Sequence, residues 1–341
     1  MIQAAITQTL DGRRLSRAEA RTVMREIMDG EATPAQIGGF LVALRSRGET
    51  VEEIAGFAEA MRERAVSVRP RRDDLVDTAG TGGDGARTIN ISTAAALVAA
   101  AAGAGVAKHG NRAVSSACGS ADVLEALGFA LELEPERIAL SIDELGFGFL
   151  FAPTHHPAMR HAASVRKELA TRTVFNVLGP LTNPAGARTQ VVGVYSPELV
   201  RVIAEVLAHL GARRAFVVHG AGGIDELSPV GPNVVCEVTG DLVRERRLDP
   251  LEELGLPRCT VEELRGGSPG ENAQAIVDVF AGANGGRRNA ILLNAAGAIA
   301  AAGHAEDLGD GLELAREAVD SGAAAERLDR LVAFTRETVS A

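Results

Sequence analysis

After residue 72, short apolar runs alternate with helical segments, and no other feature of the sequence constrains the fold as strongly. The predicted strands are 75–77, 106–108, 190–195 and 215–219. The predicted helices are 93–102, 121–127, 198–210, 272–283, 289–302 and 311–321. Strands that alternate with helices are typical of a mostly parallel sheet covered by helices. We therefore predict an α/β fold for this part of the chain.

The residues before this point are predicted to form helices only. Three capping boxes mark three helix starts, at Ser16 with Glu19, Thr33 with Gln36, and Thr50 with Glu53. In each box the hydroxyl accepts a hydrogen bond from the third helical amide. The Glu or Gln side chain in turn accepts one from the backbone amide of the Ser or Thr. The sequence thus predicts a small all-helical domain ahead of the large α/β domain.

The charge and apolar content of the chain indicate which partners it can bind and where it is located. Its 341 residues carry 45 acidic and 35 basic side chains, a net charge of −10, which disfavours binding to nucleic acid or anionic membrane. The longest apolar stretch, 91–107, is interrupted by Ser92 and Thr93 and favours a buried helix and strand over a membrane span. The three cysteines form neither a metal-ligand spacing nor a disulfide framework. We predict a cytoplasmic protein that binds no nucleic acid and no membrane.

A glycine-rich segment follows the first predicted strand and formally matches a dinucleotide-binding motif at Gly80, Gly82 and Gly85. That fold expects a helix directly after the loop and an acidic residue about twenty residues later. Here the next strand ends in Lys108-His109-Gly110, without an acid. The context therefore opposes a dinucleotide site, and the lysine motif of a nucleotide P-loop is absent. The alternative to any binding loop is an ordinary strand–turn–helix junction, in which the glycines serve only packing.

The same segment suits a binding site for an anion. Glycine carries no side chain, so backbone amides can approach a charged group closely. Ser92 or Thr93 is predicted as the N-cap of the next helix, whose first amides would form a second anion site. Between positions 78 and 120, three basic residues stand against one acidic residue. A locally basic site in an acidic chain indicates a multiply charged small molecule.

Several blocks of sequence stand in a recognisable order along the chain. They are Gly-Thr-Gly-Gly-Asp-Gly at 80–85, Asn-Ile-Ser-Thr at 90–93, Lys-His-Gly-Asn-Arg-Ala-Val-Ser-Ser at 108–116 followed by Gly119-Ser120, and the segments 151–169, 172–184 and 219–228. Together they resemble the anthranilate phosphoribosyltransferases, the enzymes of the second step of tryptophan biosynthesis. The resemblance implies phosphoribosyl pyrophosphate as donor, anthranilate as acceptor and Mg²⁺ as cofactor.

The resemblance also implies which residues bind the two substrates. Donor binding is implied for Gly80, Gly83, Asp84, Thr88, Asn90, Ile91, Ser92, Thr93, Lys108, His109, Gly110, Asn111, Arg112, Ala113, Val114, Ser115, Ser116 and Ser120. Anthranilate binding is implied for Gly80, Asn111 and Arg166. Arg166 suits the carboxylate of anthranilate because a planar guanidinium binds a carboxylate through two hydrogen bonds. Ala117 stands where relatives often carry Lys or Arg, which is expected to weaken one phosphate contact.

Asp225 and Glu226 are the predicted metal ligands. They follow the predicted strand 215–219 and a glycine turn, so the strand should place them at the edge of the sheet, beside the phosphate site. Paired carboxylates offer the hard oxygen ligands that Mg²⁺ prefers. The resemblance adds Ser92 as a further metal contact. A solvated acidic turn is the alternative.

The predicted division of the chain is a helical domain of residues 1–72, joined by helices from about residues 160–186, and an α/β phosphoribosyl-binding domain of residues 73–341. The resemblance implies a homodimer formed through the helical domain. Two other functions stay open. A pyrimidine nucleoside phosphorylase would use free phosphate and a nucleobase. A non-catalytic, nucleic-acid-binding relative of the same fold should be basic, whereas this chain is acidic.

Overall fold

The computed structural model describes residues 1–113 and 117–337, so the predicted donor ligands Val114, Ser115 and Ser116 lie outside the described residues. The helices are α1 (Ile2–Leu10), α2 (Arg17–Met28), α3 (Pro34–Arg47), α4 (Val51–Glu63), α5 (Ile91–Ala101), α6 (Ser120–Ala126), α7 (Pro135–Leu145), α8 (Ala152–His155), α9 (Arg160–Leu169), α10 (Phe175–Leu178), α11 (Glu198–His209), α12 (Pro250–Leu254), α13 (Val261–Leu264), α14 (Pro269–Phe280), α15 (Gly286–Ala302), α16 (Leu308–Asp320) and α17 (Ala323–Arg336). The strands are β1 (Leu75–Asp77), β2 (Gly105–Gly110), β3 (Phe147–Phe151), β4 (Thr189–Gly193), β5 (Arg214–His219), β6 (Asn233–Thr239) and β7 (Leu242–Leu248).

The strands form one sheet in the order β3-β2-β1-β4-β5-β6-β7. β1 to β5 run parallel, and β6 and β7 are added antiparallel at one edge. Strand order reverses at β1, because β2 and β3 lie on one side of it and β4 and β5 on the other. Ligands of such sheets bind beyond the carboxyl ends of the strands, at the point of reversal. The predicted mostly parallel sheet covered by helices is confirmed.

The four predicted strands are all present, while β3, β6 and β7 were not predicted. β3 is buried at every position, so no alternation of apolar and polar residues marks it. β7 is a largely exposed edge strand with the run Arg244-Glu245-Arg246-Arg247. Charged side chains are common on edge strands because they oppose pairing with other chains. Such a strand lacks the apolar signal on which the prediction depended.

We call helices α1–α4 the helical unit. All three predicted capping boxes are present, at Ser16, Thr33 and Thr50. Within the unit, α2 packs against α4 and α1 packs against α3, and α9 packs against both α2 and α3. Buried side chains of the unit, such as Met24 and Phe40, share one apolar cluster with residues of α9, α10 and α11. Helices α9 and α10 therefore extend the core of the helical unit.

Helix α5 is almost entirely buried and packs against α15, as its alanine-rich sequence allows. Its start corrects one prediction, because the N-cap is Asn90 rather than Ser92 or Thr93. Asn90 makes no side-chain capping hydrogen bond, since its amide group contacts Cys118 and Asn272 instead. Within residues 1–113 and 117–337, every helix is too short or too polar to span a bilayer.

Candidate phosphate and metal site

The glycine loop and the predicted metal ligands meet at the carboxyl ends of β1, β4 and β5. Gly80, which follows β1, pairs with Gly193 at the end of β4. After β5 the chain turns at Gly220 and then reaches Asp225 and Glu226. The parallel sheet thus brings together two segments that are far apart in the sequence, as predicted for the pair of carboxylates.

Close packing at this edge requires glycine at two positions. A Cβ atom at Gly193 would lie 1.4 Å from the carbonyl oxygen of Asp225, and one at Gly80 would lie 2.7 Å from Asp225 Oδ2. Gly82 has a φ angle of 64°, which glycine adopts without strain, and its amide donates to Asp225 Oδ2 at 2.6 Å. The loop therefore holds Asp225 in place, in addition to leaving room for an anion.

Asp84 joins Asp225 and Glu226 in a cluster of three acids. One oxygen from each side chain lies within 4.8 Å of the others. Asp84 Oδ2 accepts a hydrogen bond from the Asp225 amide at 3.3 Å. Asp84 was predicted to bind the donor, and nothing in the sequence pointed to its place in the cluster, because 141 residues separate it from Asp225.

The three carboxylates repel one another in a poorly solvated site. Burial raises the pKa of Asp225 to about 7, and the negative charge of Asp84 adds to the shift. Burial, followed by the charges of Asp225 and Asp84, raises the pKa of Glu226 well above its usual range. Glu226 Oε2 is buried without a hydrogen bond to any described residue. A cation would relieve both the repulsion and the missing contact, and carboxylate oxygens suit Mg²⁺.

Ser92 lies on the same small cavity as Asp225 and Glu226, together with Thr78 and Gly80. Its hydroxyl is 3.5 Å from the ammonium group of Lys108. The predicted metal contact, the predicted metal ligands and the first glycine of the loop therefore share one cavity wall. This juxtaposition favours a metal-bound anion over a solvated acidic turn.

Lys108 is buried at the floor of the site. Its ammonium group donates to the carbonyl oxygen and to the hydroxyl of Thr78, both at 3.1 Å. Burial lowers the pKa of Lys108 to about 8, and the carboxylates of Asp77, Glu226 and Asp225 oppose that shift. A positive charge at this depth offsets part of the negative charge of the acid cluster.

Asp77, at the end of β1, is a buried partner of this network that sequence reasoning missed. Its carboxylate accepts from the His109 amide at 3.2 Å and from Asn183 Nδ2 at 2.7 Å. Burial raises the pKa of Asp77 to about 6, and the charge of Lys108 opposes the shift. Asn183 also donates to the carbonyl oxygen of Ala107 at 2.7 Å. Asn183 thus ties the segment after α10 to both β1 and β2.

Asn111, Arg112, Ala113 and Ser120, further predicted donor residues, follow β2. Ser120 Oγ accepts from the Asn111 amide at 3.1 Å and donates to the Asn111 carbonyl oxygen at 3.2 Å. Arg112, predicted to supply charge to the donor, is exposed and pairs with Glu125 at 2.8 Å and Asp122 at 3.2 Å. Exposed ion pairs contribute little stability, so a phosphate group can compete for this guanidinium.

Among the other predicted donor residues, Ile91 and Thr93 can reach a ligand only through their backbone. The Ile91 and Thr93 side chains are buried in the core around α5. Thr88 forms a bridge with Arg265. Gly110 has no side chain, and a Cβ atom there would lie 2.2 Å from Ser120 Oγ.

Arg166, the predicted carboxylate ligand, lies on α9 and is partly buried. Its guanidinium lies 5.2 Å from the centre of the Phe175 ring, and no described carboxylate forms an ion pair with it. Burial lowers its pKa. Arg172, further along the same segment, donates to the Gly83 carbonyl oxygen and lies 4.0 Å from the centre of the Tyr195 ring. The sequence analysis gave Arg172 no role of its own, whereas it links this segment to the glycine loop.

His109, predicted to bind the donor, is a buried neutral ring. Its Nδ1 atom lies 3.1 Å from the carbonyl oxygen of Gly179, and its ring centre lies 5.1 Å from that of His156. Burial, followed by the neighbouring His156, lowers the pKa of His109 to about 3. It is therefore neutral at neutral pH, and its single N–H is on Nδ1, because the Gly179 carbonyl oxygen can only accept.

Comparison with known proteins gives consistent matches over almost the whole chain. The model of the glycosyl transferase family a/b domain matches residues 72–325, and that of the family's helical bundle domain matches residues 3–65. The chain is 57% identical to the anthranilate phosphoribosyltransferase of Anaeromyxobacter dehalogenans (strain 2CP-C), over 98% of this chain and 99% of the relative.

Two solved structures extend this likeness to the fold. The anthranilate phosphoribosyltransferase of Thermus thermophilus is 52% identical with a TM-score of 0.93, over 98% of this chain and 99% of that one. The Saccharomyces cerevisiae enzyme in complex with PRPP and Mg is 28% identical with a TM-score of 0.88, over 98% and 97% of the two chains. The yeast enzyme has also been solved in complex with 4-fluoroanthranilate.

Proposed function

The chain belongs to the anthranilate phosphoribosyltransferases, and from that premise we propose which of its residues carry the reaction. The enzyme transfers the phosphoribosyl group of phosphoribosyl pyrophosphate to the amine of anthranilate. The products are N-(5-phosphoribosyl)anthranilate and diphosphate, in the second step of tryptophan biosynthesis from chorismate. A pyrimidine nucleoside phosphorylase and a non-catalytic relative were the alternatives. The family comparisons oppose both of them.

The metal site is the first part of the proposal. Asp84, Asp225 and Glu226, with Ser92 on the same cavity, would hold Mg²⁺. The observation that carries this assignment is the buried Glu226 Oε2, which has no hydrogen bond to a described residue in a cluster of mutually repelling acids. Bound Mg²⁺ neutralises the charge that develops on a diphosphate leaving group.

The donor site is the second part. The amides of the glycine loop other than those of Thr81 and Gly82, which are already hydrogen-bonded, and those of the first turn of α5 would bind the phosphate groups. Asn90 occupies the N-cap position of α5 and donates to the Cys118 carbonyl oxygen, while the buried Lys108 lies beneath Thr78. Asn111, Arg112, Ala113 and Ser120 would form the opposite wall.

The acceptor site is the third part. Arg166 would bind the carboxylate of anthranilate through two hydrogen bonds, since no described acid competes for its guanidinium. Asn111 and Gly80 would line the pocket at its boundary with the donor. The aromatic amine then attacks the anomeric carbon as diphosphate leaves. Positioning and charge stabilisation suffice for this step, and the neutral His109 agrees with a reaction that needs no strong base.

We also propose a cytoplasmic homodimer that contacts its partner through the helical unit. The exposed apolar side chains of Leu10 on α1 and Val42 on α3 support that surface. The division of the chain near residue 72 stays a prediction. The shared apolar cluster supports the joining of α9 and α10 to the first domain, although it also contains residues of β4, β5 and β6.

The test of the proposed function is the consumption of anthranilate, which is measured as the loss of its fluorescence. We expect loss only when phosphoribosyl pyrophosphate and Mg²⁺ are both present, and none after chelation of the metal. Retained anthranilate fluorescence, together with phosphorolysis of thymidine or uridine, would overturn the assignment.

A further inference from the structure

Asn272 lies outside every sequence block that pointed to the family, yet its side chain contacts the proposed donor site. It stands in the first turn of α14 and is 2% exposed. Asn272 Nδ2 donates to Asn90 Oδ1 at 2.8 Å, and Asn272 Oδ1 accepts from the Gly267 amide at 2.7 Å. Both polar atoms of this buried side chain are therefore hydrogen-bonded. The oxygen binds Gly267, just before α14, and the nitrogen binds Asn90, at the start of α5.

The backbone fixes which way these two amide groups point. A backbone N–H can only donate, so the Gly267 contact must be made by the oxygen of Asn272. The nitrogen of Asn272 then faces Asn90, and the oxygen of Asn90 must accept. Asn90 Nδ2 consequently points away from Asn272 and donates to the Cys118 carbonyl oxygen at 3.2 Å. An Nδ2 group has two hydrogens, so Asn90 keeps one more donor for a ligand beside the first turn of α5.

The segment before α14 is hydrogen-bonded to the residues that lead into α5. The Gly266 amide donates to the Arg87 carbonyl oxygen at 2.8 Å, and the Ile89 amide donates to the Leu264 carbonyl oxygen at 2.9 Å. At Gly266, a Cβ atom would lie 2.5 Å from Asn272 Oδ1 and 2.9 Å from the Thr88 carbonyl oxygen. The segment before α14 is therefore held against the residues that lead into α5, with no space for a side chain between them.

We propose that Asn272 is a positioning residue for the phosphoribosyl pyrophosphate site, acting through Asn90. It holds the Asn90 amide so that an N–H donor, rather than the oxygen, faces the phosphate groups of the donor. The inference rests on the proposed function, because it assigns Asn90 to donor binding. An amide rotated by half a turn would present an acceptor to an anion, which opposes binding.

The test is a double-mutant cycle with Asn272→Ala, Asn90→Ala and both substitutions together. We expect Asn272→Ala to raise the KM for phosphoribosyl pyrophosphate about tenfold, the effect of losing one hydrogen bond to a charged group. The KM for anthranilate should stay unchanged. In the Asn90→Ala background, the second substitution should add no further rise, because Asn272 has nothing left to orient. Gln274→Ala, an exposed change on the same helix, is the matched control and should leave both KM values unchanged.

Each outcome decides the proposal. Effects that multiply in the double variant, or an unchanged donor KM in Asn272→Ala, would show that Asn272 does not act through Asn90. Should Asn272→Ala fail to fold, Asn272→Ser keeps a small polar group for the Gly267 amide and takes its place in the cycle. A wild-type protein that consumes no anthranilate would overturn the proposed function, and this inference with it. An active wild type with independent Asn90 and Asn272 effects would overturn the inference alone.

Discussion

Glu53 in the helical unit and Glu226 in the metal site have opposite surroundings. Glu53 is fully buried, and Arg47 donates to both of its carboxylate oxygens at 2.6 Å. The amides of Leu15 and Thr50 and the Thr50 hydroxyl also donate to it, at 2.8 to 2.9 Å. Burial alone would raise the pKa of Glu53, but these hydrogen bonds outweigh it, so the pKa is lowered. Its charge is matched within the helical unit.

Glu226 has no such set of donors. Its neighbours include Asp225 and Asp84, its pKa is raised, and Oε2 is buried without a described partner. The two arginines differ in the same way as the two glutamates. Arg47 pairs with Glu53, whereas no described acid pairs with Arg166. Unmatched charges lower stability, and a fold keeps them where a ligand completes them. The helical unit therefore shows charge used for folding, and the site shows charge kept for metal and substrate.

The largest expected effect separates the two glutamates by activity. Glu226→Gln should lower kcat/KM by about 1000-fold, or about 4 kcal/mol, because it removes a metal ligand. Its melting temperature should not fall, since the substitution also removes a like-charge repulsion. Added Mg²⁺ should raise the melting temperature of the wild type but not of the variant. Asp225→Asn should behave in the same way. Near wild-type turnover in either variant would remove these acids from the metal site.

The second prediction concerns stability. Glu53→Gln should lower the free energy of unfolding by about 3 kcal/mol, because it leaves the guanidinium of Arg47 buried without a counter-charge. Urea unfolding measures the change. The lowered pKa means that Glu53 stabilises the fold above its ordinary pKa of 4.5 and loses that effect as the pH falls through the folded value. The difference between variant and wild type should therefore shrink in acid.

The control for that experiment is Glu205→Gln, which breaks the exposed i,i+4 pair with Arg201 and should leave the unfolding midpoint unchanged. Turnover per folded molecule should remain at the wild-type level in Glu53→Gln. A stable Glu53→Gln protein, or one that folds but lacks activity, would break the contrast between the two regions.

The smallest of these effects tests the unmatched arginine. Arg166→Gln should raise the KM for anthranilate about 30-fold, or about 2 kcal/mol, because it removes a charged two-point contact with a carboxylate. The KM for phosphoribosyl pyrophosphate should stay near the wild-type value. Lys167→Gln, an exposed change at the next position, is the matched control. Equal rises in both KM values would show that Arg166 does not select the acceptor.

Features that depend on neighbours in the sequence were predicted well. The capping boxes at Ser16, Thr33 and Thr50 are complete, because each involves residues three positions apart. The N-cap of α5 was predicted wrongly, since tertiary contacts of Asn90 replace the local cap that Ser92 or Thr93 would make. Local rules fail where a side chain has a partner far away in the sequence.

The sequence by itself determined the class of fold, the family, and the chemistry available at the end of the sheet. Its glycines and its Asp225-Glu226 pair already indicated a metal-bound phosphate ligand. Only the tertiary structure placed Asp84 with those acids, paired Arg112 with α6, buried Lys108, and set Asn272 behind Asn90. The physical reason is that a residue's charge and hydrogen-bonding groups are written in the sequence. Whether those groups are matched depends on partners that folding brings together, across 141 residues for Asp84 and Asp225 and 182 for Asn90 and Asn272.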